Sequence, residues 1–317
     1  MGMFMAKQLT IVMYHYVRDL AASAFPEIKG LDTRLFEEQL DYLNRHYIFF
    51  SAEDLHPEAS LPDNAVLLTF DDGYIDHYIT VFPLLRERGI RAVFAPVVNA
   101  LRGEVLDVNK IHFTLASVKD HHQLVLGIDK FIFDHIAEIG FTGPQHRTTM
   151  IKRPLDTVEV SFVKDMLQKD LPLQLRRELV NRLFKEFVTS DEAGFAAELY
   201  LHPEHIREMY AEGMAFSIHG LSHSWFTALT REEKRDEIEG ALAFFSGLGI
   251  PAHEISITYP YGIYDAETLK AAGDAGVSLG FTTESRIAVL TAENMLLLPR
   301  FDTNAIPKES DAPFQKL

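Results

Sequence analysis

The chain has 317 residues, 47% hydrophobic and 24% charged, with a formal net charge of −16 and no cysteine. That balance describes a globular chain and excludes a disordered one, and its acidity argues against nucleic acid or an anionic membrane surface as partner. Without cysteine there are no disulfides and no thiolate metal sites, so any metal must rest on histidine and carboxylate.

No run reaches the ~20 apolar residues that span a bilayer. The apolar stretch from Leu9 to Tyr16 is followed by no small-residue cleavage site, which points to a cytoplasmic protein. Residues 10–16 read as a first strand carrying Tyr14 and His15. Behind Asp32 or Thr33 as cap, Phe36, Leu40, Leu43 and Tyr47 recur at helical spacing, and residues 47–50 read as a short strand. Ala65 to Phe70 is an apolar run with the length of a buried strand, stopped by Asp71, Asp72 and Gly73. Two adjacent carboxylates repel each other. A strand-end turn is one reading of them; a cation held by one, with the other free as a base, is the second. Residues 74–88 predict a helix with Ile75, Ile79, Phe82 and Leu85 on one face, which Pro83 should kink or restart. A strand over 91–98 completes a βαβ unit with the acidic pair at its strand-to-helix turn.

Residues 100–205 break this rhythm, with helical patterns over 124–139, 155–167 and 173–188 separated by Pro144, Pro154 and Pro172. They read as a helical insertion into a single barrel domain spanning 1–317, placed where it could serve as a lid or specificity wall. After a helix from Pro203 to Glu212, the run Met214–Ile218 ends at His219 and His223, four residues apart, a spacing that can put two imidazoles on one side of a turn. Thr230 and Glu233 form a capping box for a helix burying Ile238, Leu242, Phe245 and Leu248. A strand over 255–258 leads into Tyr259, Pro260, Tyr261 and Gly262. A helix over 265–275, a strand over 277–282 and a closing segment over 296–302 complete the pattern. Short strands that each end in polar residues are the signature of a parallel α/β barrel with its site at the strand C-terminal ends.

These three stretches together resemble the polysaccharide deacetylases, the family of the rhizobial chitooligosaccharide deacetylase. Thr69 to Gly73 matches the first family motif in full. His219 and His223 match the second, although Gly220 stands where serine or threonine is usual, and Pro260 and Tyr261 match the third. The resemblance implies a distorted (β/α) barrel over residues 9–98 and 205–302. It also implies one divalent metal ion, zinc being the expected one, on Asp72, His219 and His223, with Asp71 as base. By the same resemblance the backbone N–H of Tyr261 faces the oxyanion and Pro260 fixes the turn that aims it. His15 is a candidate groove residue, and Tyr259 is either sugar-facing or packed. Two departures stand out: no arginine precedes Pro260 to orient the base, and Arg300 occupies the place of the family's acidic histidine. Arg300 stays charged and donates no proton in turnover, so it either orients Asp71 or binds substrate. The acid is left among His15, a water and Asp71 itself. The expected activity is de-N-acylation of an amino sugar in a nucleotide- or lipid-linked surface-glycan precursor. A cyclic-amide or ureide hydrolase and an inactive glycan-binding homologue are the alternatives.

Overall fold

In the computed structural model, which describes residues 8–153 and 156–315, eleven short strands form among the described residues. In chain order they are β1 (Gln8–Tyr14), β2 (Val17–Arg18), β3 (Leu31–Asp32), β4 (Ile48–Phe49), β5 (Ala65–Asp72), β6 (Val93–Pro96), β7 (Ala215–Ile218), β8 (Ser256–Thr258), β9 (Gly280–Phe281), β10 (Ala288–Val289) and β11 (Phe301–Asp302). The described residues divide into two compact units, one drawn from residues 8–19, 30–104 and 196–315, the other from 20–29, 105–153 and 156–195.

The first unit is an α/β fold built on a curled, mostly parallel sheet in the order β1, β5, β6, β7, β8, β9. Only β10, beside the start of β1, runs antiparallel. The segment after Leu298 links the two edges: Leu298 bridges in parallel to Phe281, and β11 pairs in parallel with β1. β5 is buried along its whole length, as its unbroken apolar run anticipates. Strand parity then decides what each residue faces. Val66, Leu68 and Phe70 join Phe94, Phe216 and Ile257 in the core under the helices. Ala65 and Leu67 pack instead with Leu9, Ile11, Val93, Phe281 and Leu298, which come from across the sheet and mark its concave face. Thr69 and Asp71 continue that second row toward the strand end.

The helix over Thr33–His46 starts on Asp32, whose carboxylate accepts from the Arg34 N–H, and buries Phe36, Leu40 and Leu43. After Gly73 the chain forms a single π turn, His77–Val81, which passes into an α-helix at Phe82–Glu87 with Pro83 in its first turn. Proline is tolerated there because its missing N–H would have no partner inside the helix.

His77 lies fully buried in this π turn, ringed by Phe70, Tyr74 and Phe94. Its Nε2 donates to the His15 carbonyl at 2.8 Å, while Nδ1 is buried without a partner. Burial pushes its pKa from 6.5 down to about 4, so the ring is neutral in the folded chain. A depressed folded pKa contributes stability that is complete above the unfolded value and is lost as pH falls through the folded one. Folding is therefore expected to weaken between pH 6.5 and 4, by up to about 3 kcal/mol from this group. Urea unfolding across that range should show a flatter pH dependence for His77→Phe than for the wild type; equal slopes would rule the group out as the source.

The second unit is helical, over Asp107–Ser117, His121–Asp134, Ile136–Ile139, Gly143–Thr149, Val158–Asp165 and Leu173–Phe187. It has its own apolar core, including Leu124, Ile128, Ile132, Phe162, Met166, Leu179 and Leu183. The helix expected from residue 155 begins at Val158, because the Thr157 hydroxyl caps it by accepting from the Val160 N–H. Pro154 and Leu155, where that expectation begins, lie outside the described residues.

Candidate active site

Three parallel strands deliver the site. β5 ends in Asp71 and Asp72, β7 leads directly to His219, and β8 leads to Tyr259 and Pro260. The sharp departure of the chain from β5 depends on Gly73, at φ +76°, where an added Cβ would sit 2.3 Å from the Pro96 Cβ on the neighbouring strand. Among the described residues only three non-glycine positions have left-handed backbone: Asp72 (φ 70°), His223 (φ 58°) and Tyr261 (φ 58°). Each costs about 1–2 kcal/mol relative to ordinary backbone. All three fall in the motifs that the sequence singled out, and such strain concentrates at functional sites.

Asp72, His219 and His223 converge. Asp72 Oδ1 lies 3.6 Å from His219 Nε2 and 3.4 Å from His223 Nε2. The three ligand atoms lie within 4.8 Å of one another. Asp72 Oδ1 is buried and has no hydrogen-bond partner, whereas Oδ2 accepts from the Tyr74 hydroxyl at 2.5 Å. His219 Nδ1 lies 2.8 Å from the Thr258 carbonyl, where only the nitrogen can donate, so in the neutral ring Nε2 keeps its lone pair toward Asp72. A carboxylate oxygen and two imidazole nitrogens around one buried, unsatisfied atom fit a divalent cation. The fixed outer bonds to Tyr74 and Thr258 are the kind that orient metal ligands.

Electrostatics separate the two imidazoles. Burial pushes the His223 pKa down to about 3, so that ring is neutral, the form that ligates. Burial also disfavours charge on His219, but Asp72 and Asp71 outweigh it and hold its pKa above the ordinary value. Burial would raise Asp72, yet His219, His223 and His15 hold it well below the usual carboxylate range.

Asp71 is engaged differently. Arg300, fully buried, makes two parallel bonds to it, Nη1 to Oδ1 and Nη2 to Oδ2, both at 2.8 Å. Arg300 is itself held by Nη1 on the Thr69 hydroxyl at 3.0 Å and Nε on the Thr282 carbonyl at 2.9 Å. Burial raises the Asp71 pKa, but the guanidinium charge and its hydrogen bonds outweigh that and hold it below the ordinary value. These bonds are the contact that orienting Asp71, one of the two roles expected for Arg300, would need. The arginine that touches Asp71 thus comes from the segment before β11, not from upstream of Pro260.

The remaining residues divide between site and scaffold. The His15 ring is half-buried just past the end of β1, close enough for a charge on it to act on Asp71, Asp72 and His223. Tyr261 is 36% exposed and lies against His223, at 4.7 Å between ring centroids, and Trp225, at 5.5 Å. Pro260, next to it in the chain, is buried. Tyr259 does not face a sugar: its side chain is fully buried and its hydroxyl donates to the Leu296 carbonyl at 3.0 Å. It is a packing residue, because strand parity at the end of β8 turns it into the core with Phe226 and Tyr264. Sequence reasoning did not single out Tyr74, which bonds Asp72, or Trp225, which lies against Tyr261. Trp225, the chain's single tryptophan and two residues past His223, offered the clearest signal. A second His-Asp-Asp grouping, His146, Asp165 and Asp170, occurs in the helical unit. Its members are already paired, His146 with Asp170 and Arg153 with Asp165, both at 3.0 Å.

The sequence model of the family described as polysaccharide deacetylase matches residues 185–280. YxkH of Bacillus subtilis, a protein named for polysaccharide deacetylases, is 27% identical over 152 residues, 45% of this chain and 49% of that protein. The match therefore spans about half the length of that relative. Among solved structures, the Streptococcus pyogenes deacetylase PplD in complex with acetate superposes with a TM-score of 0.56 at 19% identity, covering 94% of this chain and 93% of that one. IcaB from Ammonifex degensii superposes at 0.54 and 18%, covering 94% and 92%. A de-N-acetylase from Aggregatibacter actinomycetemcomitans superposes at 0.55 and 16%, covering 97% of each. At these identities the structures establish a shared fold, the deacetylase type of curled α/β sheet, and the sequence matches carry the polysaccharide deacetylase resemblance.

Proposed function

We propose that the chain is a metal-dependent hydrolase that removes the N-acetyl group from an amino sugar of a surface glycan or of its nucleotide- or lipid-linked precursor. The observation that carries this reading is the grouping of Asp72, His219 and His223 around an unsatisfied carboxylate oxygen, next to a second carboxylate kept ionised by Arg300. A divalent ion, zinc by the chemistry of the donor set, would there act as a Lewis acid on the amide carbonyl and acidify a water. Asp71 then accepts the proton of the attacking water as the C–O bond forms at the acetyl carbon. The sugar nitrogen must gain a proton as the C–N bond breaks. Asp71 can return it, and His15 or a water is the alternative donor. The Tyr261 backbone N–H is the donor for the developing oxyanion in this reading, and the Tyr261 and Trp225 rings offer apolar faces to the sugar.

The test is acetate release from N-acetylglucosamine oligomers and from a nucleotide-linked N-acetyl amino sugar, before and after stripping with a chelator. Release is expected only from metal-loaded protein, with activity restored by zinc. Metal-loaded protein that releases no acetate but opens a cyclic amide or ureide would replace this reading with the other hydrolase. Glycan binding without metal uptake or turnover would make the chain a binding homologue.

A further inference from the structure

Resting on the metal-site reading above, we infer that Glu237 is a positioning residue that holds the turn carrying both imidazole ligands. The turn from His219 to His223 has to aim two side chains at one point while Gly220 and His223 both adopt left-handed backbone, at φ 75° and 58°. Left-handed positions leave successive N–H groups outside any ladder. Glu237, on the helix Arg231–Gly247, takes them up: its Oε2 accepts from the N–H of Leu221 at 2.6 Å and of Ser222 at 3.0 Å. Its Oε1 accepts from the Ser222 hydroxyl at 2.5 Å, and that hydroxyl lies 2.7 Å from the Ser224 hydroxyl. The other side of the turn is fixed by the Asn99 N–H, which donates to the Leu221 carbonyl at 2.8 Å. The helix cannot slide away, because Lys234, Ile238 and Ala241, on either side of Glu237, are buried.

The same contact accounts for Gly220. A Cβ at that position would stand 2.8 Å from Glu237 Oε2, on backbone that already disfavours a side chain. The serine or threonine usual in the resembling family would have to push aside the carboxylate that now braces the turn. Glycine and glutamate therefore work as a pair, the one giving the room that the other occupies.

The experiment separates reach from charge by titrating metal-free protein with Co²⁺ and following visible absorption, for wild type and for Glu237→Ala, Glu237→Asp and Glu237→Gln. Aspartate keeps the charge but is one methylene too short. Glutamine keeps the reach, its carbonyl oxygen able to serve both N–H groups. Ala and Asp should weaken cobalt affinity about 10- to 100-fold with an altered absorption band, and Gln should stay within about threefold of wild type. If Ala fails to fold, the Asp and Gln pair carries the comparison. Wild-type affinity and spectrum in both Ala and Asp would overturn the assignment, as would tight binding by Asp with loss in Gln, which would make the effect one of charge. A wild-type chain that takes up no cobalt would overturn the metal-site reading, and this assignment with it.

Discussion

Asp71→Asn is expected to leave metal uptake intact and to lower acetate release by about 10²- to 10⁴-fold, the usual cost of losing a general base. Asp72→Asn is expected to lose the metal itself. The two side chains are neighbours in sequence, yet the structure gives them separate surroundings. Both Asp71 oxygens are taken by Arg300, and neither Asp71 oxygen joins the ligand grouping. Asp72 turns the other way, with Oδ2 tied to Tyr74 and Oδ1 left to face His219 and His223. The left-handed backbone at Asp72, φ 70°, accompanies the turn of two adjacent carboxylates into these two different surroundings. Metal content by atomic emission and acetate release, measured side by side, check the division. Equal metal loss in the two variants would show that they share the ion, and undiminished turnover in Asp71→Asn would refute Asp71 as base.

How legible this was depended on distance along the chain. The ends of β5 and β7 could be read directly, because an apolar run that stops at charged or imidazole residues places those residues at a sheet edge. Pro83 sits where the π turn passes into the α-helix without a break, since proline excludes the i→i−4 bond that an unmodified α-helix would need there. The two tyrosines around Pro260 could not be told apart, because the direction of each depends on backbone turning between them, and only Tyr261 leaves the strand geometry. Glu237 was out of reach for another reason: it lies 15 residues past Ser222, and only the packing of its helix on the sheet brings it to the turn. Tyr74 was within two residues of Asp72 but was absorbed into a helix pattern that begins, in fact, only at His77. The sequence match to the family over 185–280 includes the two histidines and Pro260 but does not reach the acidic pair, which comes before residues 105–195 in the sequence.

Arg300→Met should produce the largest loss of stability, about 3–5 kcal/mol, because it strands a buried carboxylate rather than merely removing a pair. The effect should depend on pH in a direction that identifies its cause. In the wild type the Asp71 pKa lies below its ordinary value, so the pair's contribution is present above about pH 4 and lost as pH falls through the folded value. Without Arg300, burial is the dominant influence left on Asp71 and raises its pKa. A raised carboxyl is unfavourable when ionised, so the penalty is greatest at neutral pH and relaxes as the solution becomes acidic enough to protonate it. The gap between variant and wild type in urea unfolding should therefore narrow from pH 7 toward pH 4. The acidic limb of the activity profile should move to higher pH for the same reason, while the basic limb stays, since Arg300 gives up no proton. Arg300→Lys should not restore either, because an ammonium cannot reproduce two parallel bonds to one carboxylate. Adding Asp71→Asn to Arg300→Met should recover part of the stability by removing the stranded charge, a coupling that simple loss of packing would not give. A stability gap that is the same at pH 4 and pH 7, with no recovery in the double variant, would show that Arg300 acts through packing and not through Asp71.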